Sequence, residues 1–227
     1  LLDPATGALA GSVMSHVNSQ VNVVVPDGTG GYYLGGNFTS IGGQARERIA
    51  RINPDGSLSS WNAGTVNGTV SAIALAPDLS TVYVGGGFMT IGGQARNYIA
   101  ALSADTGLAT AWNAGAVDQS VWNLAISGTT LYASGGFTTI GGQARQYIAG
   151  LDTVSGNAVD NLWVPDTSGI EMDISGNSLY LGGAFTRLAP ITGSGAVLDS
   201  ASGGFSPATV TNINGIVYAA VPDGAGG

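Results

Sequence analysis

The sequence predicts an all-β chain assembled from repeated four-stranded units. Three observations carry that expectation. A self-similar segment recurs about every 49 residues, short apolar runs inside each copy are punctuated by Gly, Pro, Asp and Asn, and no useful length shows helical periodicity with caps. The copies are GGNFTSIGGQARERIARINPDG from Gly35, GGGFMTIGGQARNYIAALSADTG from Gly85 and SGGFTTIGGQARQYIAGLDTVSG from Ser134. A fourth, GGAFTRLAPITGSGAVLDSASG from Gly182, keeps the frame and loses the centre. Phe38, Phe88, Phe137 and Phe185 are spaced by 50, 49 and 48. Asp3, Asn53, Ser103, Asp152 and Asp199, each opening a turn that ends in glycine, are spaced by 50, 50, 49 and 47.

In the second copy the elements follow in order. Thr69–Ala76 is a strand, Pro77-Asp78 begins a turn, and Thr81–Ile91 is a second strand broken by glycines. After a Gly-Gly-Gln-Ala-Arg connection, Asn97–Ser103 is a third, and Asp105-Thr106-Gly107 turns into a fourth at Leu108–Asn113. The turn residues supply or preset the needed φ. Along Val121–Ile126, Trp122, Leu124 and Ile126 fall on one side and Val121 and Ala125 on the other. Both faces are mostly apolar, so each small sheet is expected to be covered on both sides. A thin sheet covered twice and repeated at this period is the arrangement of a β-propeller blade, its neighbours being the covers. The paired glycines before each phenylalanine fit close backbone approach near a crowded axis. A β-solenoid would need a period nearer 20, and the sequence has none.

These segments carry a family resemblance. ALSADTGLATAW (Ala101–Trp112), echoed by RINPDGSLSSW (Arg51–Trp61), resembles the third-strand, turn and fourth-strand segment of PQQ-like β-propeller repeats. The whole unit is similar to the tandem YVGGxFTxIGGQxRxxIAxLD propeller repeats of large exported bacterial surface proteins. The expected organisation is a single propeller segment over 1–227. Residues 1–15 close a preceding blade, 16–65, 66–115, 116–165 and 166–208 are four blades, and 209–227 begin a further one. INGIVYAAVPDGAGG at Ile213–Gly227 matches VNVVVPDGTGG at Val21–Gly31. Two readings of the ends stand: a composite fifth blade lacking a strand, or a slice of a longer propeller or tandem array. The second is preferred because an open blade leaves a strand edge exposed. The start at Leu1, with no methionine or signal peptide, fits a processed product or excised segment.

Composition excludes several function classes. Charged residues are 9% of the chain, with six arginines, no lysine and fourteen acids for a net −8. A nucleic-acid binder would need the opposite balance. No apolar stretch is long enough to span a membrane. The absence of cysteine removes disulfides, thiolate nucleophiles and cysteine metal sites. Low charge and a glycine- and hydroxyl-rich surface point to an extracellular or cell-surface location.

Few residues suggest chemistry. Arg46, Arg96 and Arg145 stand two residues after Gln44, Gln94 and Gln143 in the connection between second and third strands. Guanidiniums on successive blades suit a carboxylate, sulfate or acidic sugar. The competing expectation is that each Arg-Gln pair ties its loop to carbonyls of the next blade, since a motif in every intact unit serves the unit. Glu171 and Asp173 fall where the third blade has Asn123 and Ala125, two apart on one strand and so on one face. Such a pair suits a cation, a metal or acid/base work near a central channel. Alternatively, the strand is partly solvated there with Arg145 or Arg187 nearby. Trp61, Trp112 and Trp163 recur at 51 and 51, either as a sugar-stacking platform or as wedges between blades. Asn37-Phe38-Thr39 and Asn67-Gly68-Thr69 are glycosylation sequons. His16 is the sole histidine, which leaves a zinc site or a Ser-His-Asp triad without support. No cofactor, metal or catalytic residue is expected.

The functional expectation is a non-enzymatic structural or interaction module of an exported surface or appendage protein. Its partners would be other protein chains, copies of itself, or surface glycans. The alternatives are a propeller enzyme of lyase or quinoprotein type and a lectin-like carbohydrate binder.

Overall fold

In the computed structural model of the protein, residues 16–159, 165–176, 178–186 and the backbone of 195–199 are described. No helix occurs among them. The strands are β1 (Val21–Pro26), β2 (Tyr32–Gly36), β3 (Ser40–Ile41), β4 (Gln44–Ala45) and β5 (Ile49–Ile52) in the first repeat. The second holds β6 (Val70–Leu75), β7 (Thr81–Gly86), β8 (Thr90–Ile91), β9 (Gln94–Ala95) and β10 (Ile99–Ser103). The third holds β11 (Val121–Ser127), β12 (Thr130–Gly135), β13 (Thr139–Ile140), β14 (Gln143–Ala144) and β15 (Ile148–Asp152). The fourth shows β16 (Glu171–Ser175), β17 (Ser178–Gly182) and β18 (Gly195–Asp199).

Each repeat forms a three-stranded sheet with the second strand central: β1-β2-β5, β6-β7-β10, β11-β12-β15 and β16-β17-β18. The chain divides into two compact units. Leu1–Arg96 with Ala100–Ala111 make the first, and Asn97–Ile99 with Trp112–Gly227 the second.

The expected fourth strand is short. Leu58, Ala109 and Ala158 each make a single bridge to the third strand, at Ile52, Leu102 and Leu151. The bonds Ser59 N–H to Arg51 O (2.9 Å) and Thr110 N–H to Ala101 O (2.8 Å) extend that pairing by little. The Gly-Gly-Gln-Ala-Arg connection, read from sequence as a loop, is a hairpin: β3-β4, β8-β9 and β13-β14 are two-stranded ribbons. Their turns are Gly42-Gly43, Gly92-Gly93 and Gly141-Gly142, every φ lying between 57° and 79°. Two successive positive φ values define the tight turn whose twist matches a hairpin, and glycine adopts them without strain.

The paired glycines have a local cause. The first strand of each of the first three sheets bulges, between Val21 and Val23, Val70 and Ala72, and Val121 and Asn123. The bulge brings the carbonyl that precedes the strand against the second strand. A Cβ on Gly36, Gly86 or Gly135 would sit 2.1, 2.0 or 2.2 Å from the oxygen of Gln20, Thr69 or Ser120. The first glycine of the pair faces the next sheet: a Cβ on Gly35 would sit 2.5 Å from Val70 Cγ1. Ser134 replaces that glycine in the third repeat, and its hydroxyl donates to Ile170 O at the head of the following sheet.

The cores are built from repeated positions. Phe38, Phe88, Phe137 and Phe185 are all 0% exposed. Tyr33, Val70, Val82, Val84 and Leu102 pack in one cluster of the first unit, and Tyr132, Ile148, Met172 and Leu181 in one of the second. Coverage of both faces is uneven. β6 is buried or half-buried throughout, whereas β1 alternates half-buried and exposed residues and Trp122, at the β11 bulge, is 44% exposed.

Candidate functional site

The repeated arginines act inside their own units. Arg46 Nη1 donates to Ala45 O and Nη2 to Ser59 O, both at 2.8 Å. Arg96 repeats the pattern on Ala95 O and Thr110 O at 2.9 Å, and Arg145 Nη1 donates to Ala144 O at 3.1 Å. Ser59 and Thr110 lie in the fourth segment of the same repeat, so the tie does not reach the next blade. A planar fork holding two carbonyls joins hairpin to sheet edge. Gln44, Gln94 and Gln143 take no part; they are exposed and make no side-chain hydrogen bond among the described residues.

The tryptophans link successive repeats. Trp61 Nε1 donates to Ser103 O and Trp112 Nε1 to Asp152 O, each at 3.0 Å and each at the end of the next sheet's third strand. Trp61 also meets Tyr33 edge-on, with centroids 5.2 Å apart at 71°. Both indoles are buried, at 4% and 7% exposure, so neither presents an open face. Trp163 lies outside the described residues.

Glu171 and Asp173 begin β16, on one face of it. Glu171 is exposed, and its Oε2 accepts Asn123 Nδ2 at 2.6 Å from β11, the residue with which the repeat frame aligns it. Asp173 is half-buried and accepts the N–H of Ile174 at 2.8 Å. Arg187 lies outside the described residues. No group of His, Asp and Glu placed to hold a metal occurs among the described residues. His16 has φ 70°, and its carbonyl accepts the Gly42 N–H at 3.0 Å.

Two constellations are not evident from sequence. In the first, Asn18, Asn67, Asp118 and Asp166 occupy one position in successive repeats, just before the first strand. Asn18 Oδ1 accepts the N–H groups of Thr39 and Ser40, Asn67 Oδ1 those of Met89 and Thr90, and Asp118 Oδ1 those of Thr138 and Thr139. Asp166 Oδ1 accepts the Thr186 N–H at 2.8 Å. Each fastens the start of its repeat to the segment after the buried phenylalanine. Burial works to raise the Asp118 carboxyl, yet the hydroxyl and N–H of Thr138 and the N–H of Thr139 hold it below the usual carboxylate range.

The second constellation is an ion pair in the first repeat. The Asp27 side chain is fully buried beside Arg51, whose Nη2 lies 2.7 Å and Nε 2.8 Å from Asp27 Oδ2. Asp27 Oδ1 accepts the N–H groups of Thr29 and Gly31 at 2.8 Å, and Oδ2 accepts the Thr29 hydroxyl at 2.9 Å. Burial pushes this carboxyl up, but the Thr29 N–H, the guanidinium, the Thr29 hydroxyl and the Gly31 N–H together hold it at about 2. The Arg51 guanidinium also lies 5.7 Å from the Tyr33 ring centroid. Asp27, Thr29, Tyr33 and Arg51 edge a cleft of about 470 Å³ whose lining also includes Leu79, Ser80 and Asp105. Ala76 and Ala101 occupy the corresponding positions of the second repeat, which therefore lacks the pair.

The family described as "Domain of unknown function (DUF5122) beta-propeller" matches residues 26–58. The crystal structure of the computationally designed Ika8 protein is similar with a TM-score of 0.51 and 16% identity, covering 88% of this chain and 64% of its own. BamB from Moraxella catarrhalis gives a TM-score of 0.43 and 18% identity over 86% of this chain and 49% of its own. The chain therefore spans less than two thirds of either structure. No curated protein matches it. The antiparallel sheets at a fixed period and the family match on the first of them define a β-propeller repeat protein.

Proposed function

We propose that the chain is a non-enzymatic structural and partner-binding propeller module of an exported surface or appendage protein, docking other protein chains or copies of itself. The observation that carries this reading is the internal engagement of the repeated polar groups. Arg46 and Arg96 are bound to carbonyls of their own repeats, the indole N–H groups of Trp61 and Trp112 to the next sheet, and the four Asn/Asp caps to backbone N–H groups. Such residues specify a rigid frame, and recognition then belongs to loops that the frame positions. The low charge supports it further, because charged side chains are depleted at the centres of protein interfaces. Export rests on composition and on the resemblance to surface-protein repeats.

The test is the native mass of the purified chain over a concentration series, with electron microscopy of the same samples and cross-linking on intact cells. Concentration-dependent assemblies, or one stoichiometric cross-linked partner, support the module. A chain that stays monomeric and cross-links to nothing, or one that turns over a substrate, overturns it.

A further inference from the structure

The frame explains most of what the repeats share, but not the exposed glutamines. Ile41, Ile91 and Ile140 are buried, the glycine turns need their φ, and Arg46 and Arg96 tie hairpin to sheet edge. Gln44, Gln94 and Gln143 are exposed and their side chains bond to nothing among the described residues, yet all three copies carry glutamine there. Three residues further on, the copies diverge to Glu47, Asn97 and Gln146. A side chain kept in register without an internal partner fits a contact made outside the chain.

Gln94 stands on the wall of a cleft of about 410 Å³ in the first compact unit, with Asn62, Gly64, Thr65, Thr90 and Leu108. No charged side chain lines it. Its base is held by Gly92 N–H on Ala63 O and Ala109 N–H on Gly92 O, both at 3.0 Å. Asn62 Oδ1 accepts the Gly64 N–H at 3.0 Å, which leaves Nδ2 as a donor. The second compact unit repeats this arrangement. Gly141 N–H donates to Ala114 O at 2.8 Å, Ala158 N–H to Gly141 O at 3.0 Å, and Asn113 Oδ1 accepts the Gly115 N–H at 3.0 Å. A Cβ on Gly115 would sit 3.7 Å from Gly142 N, so loop and hairpin lie as neighbours there too.

We infer that the Asn62–Gln94 cleft, and the matching loop and hairpin that carry Asn113 and Gln143, bind an uncharged, extended peptide segment of a partner protein. The inference rests on the reading of the chain as a partner-binding module. A carboxamide offers two donors and an acceptor, the complement of a peptide group. Gly64 and Gly93 leave bare backbone, since a Cβ on either would meet nothing within 4 Å. Room is thereby open for a second backbone to approach. Leu108, 56% exposed, adds an apolar contact in the first cleft. An ionic ligand would lose hydration and gain no partner charge. A sugar held by stacking would need an aromatic face, and the first cleft's lining has none.

The experiment probes the full chain and the Gln94→Ala/Gln143→Ala variant on an array of short, blocked, uncharged peptides, with a glycan array alongside. The variant should keep the wild-type urea midpoint, because neither side chain has a hydrogen-bond partner among the described residues. Wild-type protein should retain a subset of peptides, and the variant should lose about tenfold in affinity for each site, the size of a removed hydrogen-bonded pair. Equal retention by the variant, an empty peptide array, or binding to glycans alone overturns the inference. Assemblies of unchanged native mass alongside an empty array remove the cleft assignment and leave the module reading standing. A monomer that cross-links to nothing removes the reading itself.

Discussion

Replacing Asp27 with asparagine tests the buried ion pair in detail. The carboxyl falls from its ordinary 3.8 to about 2 in the folded protein. At about 1.36 kcal/mol for each pH unit, that depression makes the charged form worth about 2.4 kcal/mol to the fold. Arg51 is one quarter exposed, so solvent screening makes this an upper figure. Because the folded value is depressed, the contribution is complete above about pH 4 and disappears as pH falls through about 2. The new carboxamide would keep an oxygen for the N–H groups of Thr29 and Gly31 but turn its NH₂ toward a guanidinium. Asp27→Asn should therefore lose about 2 kcal/mol at neutral pH, read from urea unfolding. The gap to wild type should close between about pH 4 and about pH 2. Comparing the two proteins at each pH cancels the other carboxylates. A gap of the same size in neutral and strongly acid solution, or none at neutral pH, refutes the reasoning.

Three further substitutions probe the frame. Gly86→Ala places a Cβ 2.0 Å from the Thr69 carbonyl oxygen, and the backbone shift should cost about 3 kcal/mol in urea unfolding. Asp118→Asn should be nearly neutral, because Asn67 caps its own repeat in the same way, whereas Asp118→Ala should cost about 1–2 kcal/mol by the same measurement. Trp112→Phe keeps a buried ring and removes the bond to Asp152 O, for a loss of about 1 kcal/mol in unfolding.

The period is legible because burial is. The phenylalanine of every repeat reaches full burial, as one apolar position in a repeated unit must. The fourth strand is where alternation overstates the structure, and for a physical reason. Arg46 and Arg96 take the carbonyls of Ser59 and Thr110 that a longer ladder would use. The hairpin is where the sequence understates it. Gly-Gly reads as a break, yet two positive φ values make a tight reversal that keeps both flanking segments paired.

Polar positions are harder to read, since their roles depend on register. Asn18, Asn67, Asp118 and Asp166 recur at the spacing of the repeat, but as two residue types that share only an acceptor oxygen. Asp27 and Arg51 lie at opposite ends of the first repeat's sheet-forming segment, and nothing local joins them. They meet because β1 and β5 both pair with β2, setting Val25 and Arg51 opposite Tyr33 and carrying the turn after β1 past the guanidinium. The repeat therefore sorts side chains only in part. Recurrence with an internal partner, as at Arg96, Trp112 and Asp118, marks the frame; recurrence without one among the described residues, as at Gln94 and Gln143, fits the proposed contact with a partner chain.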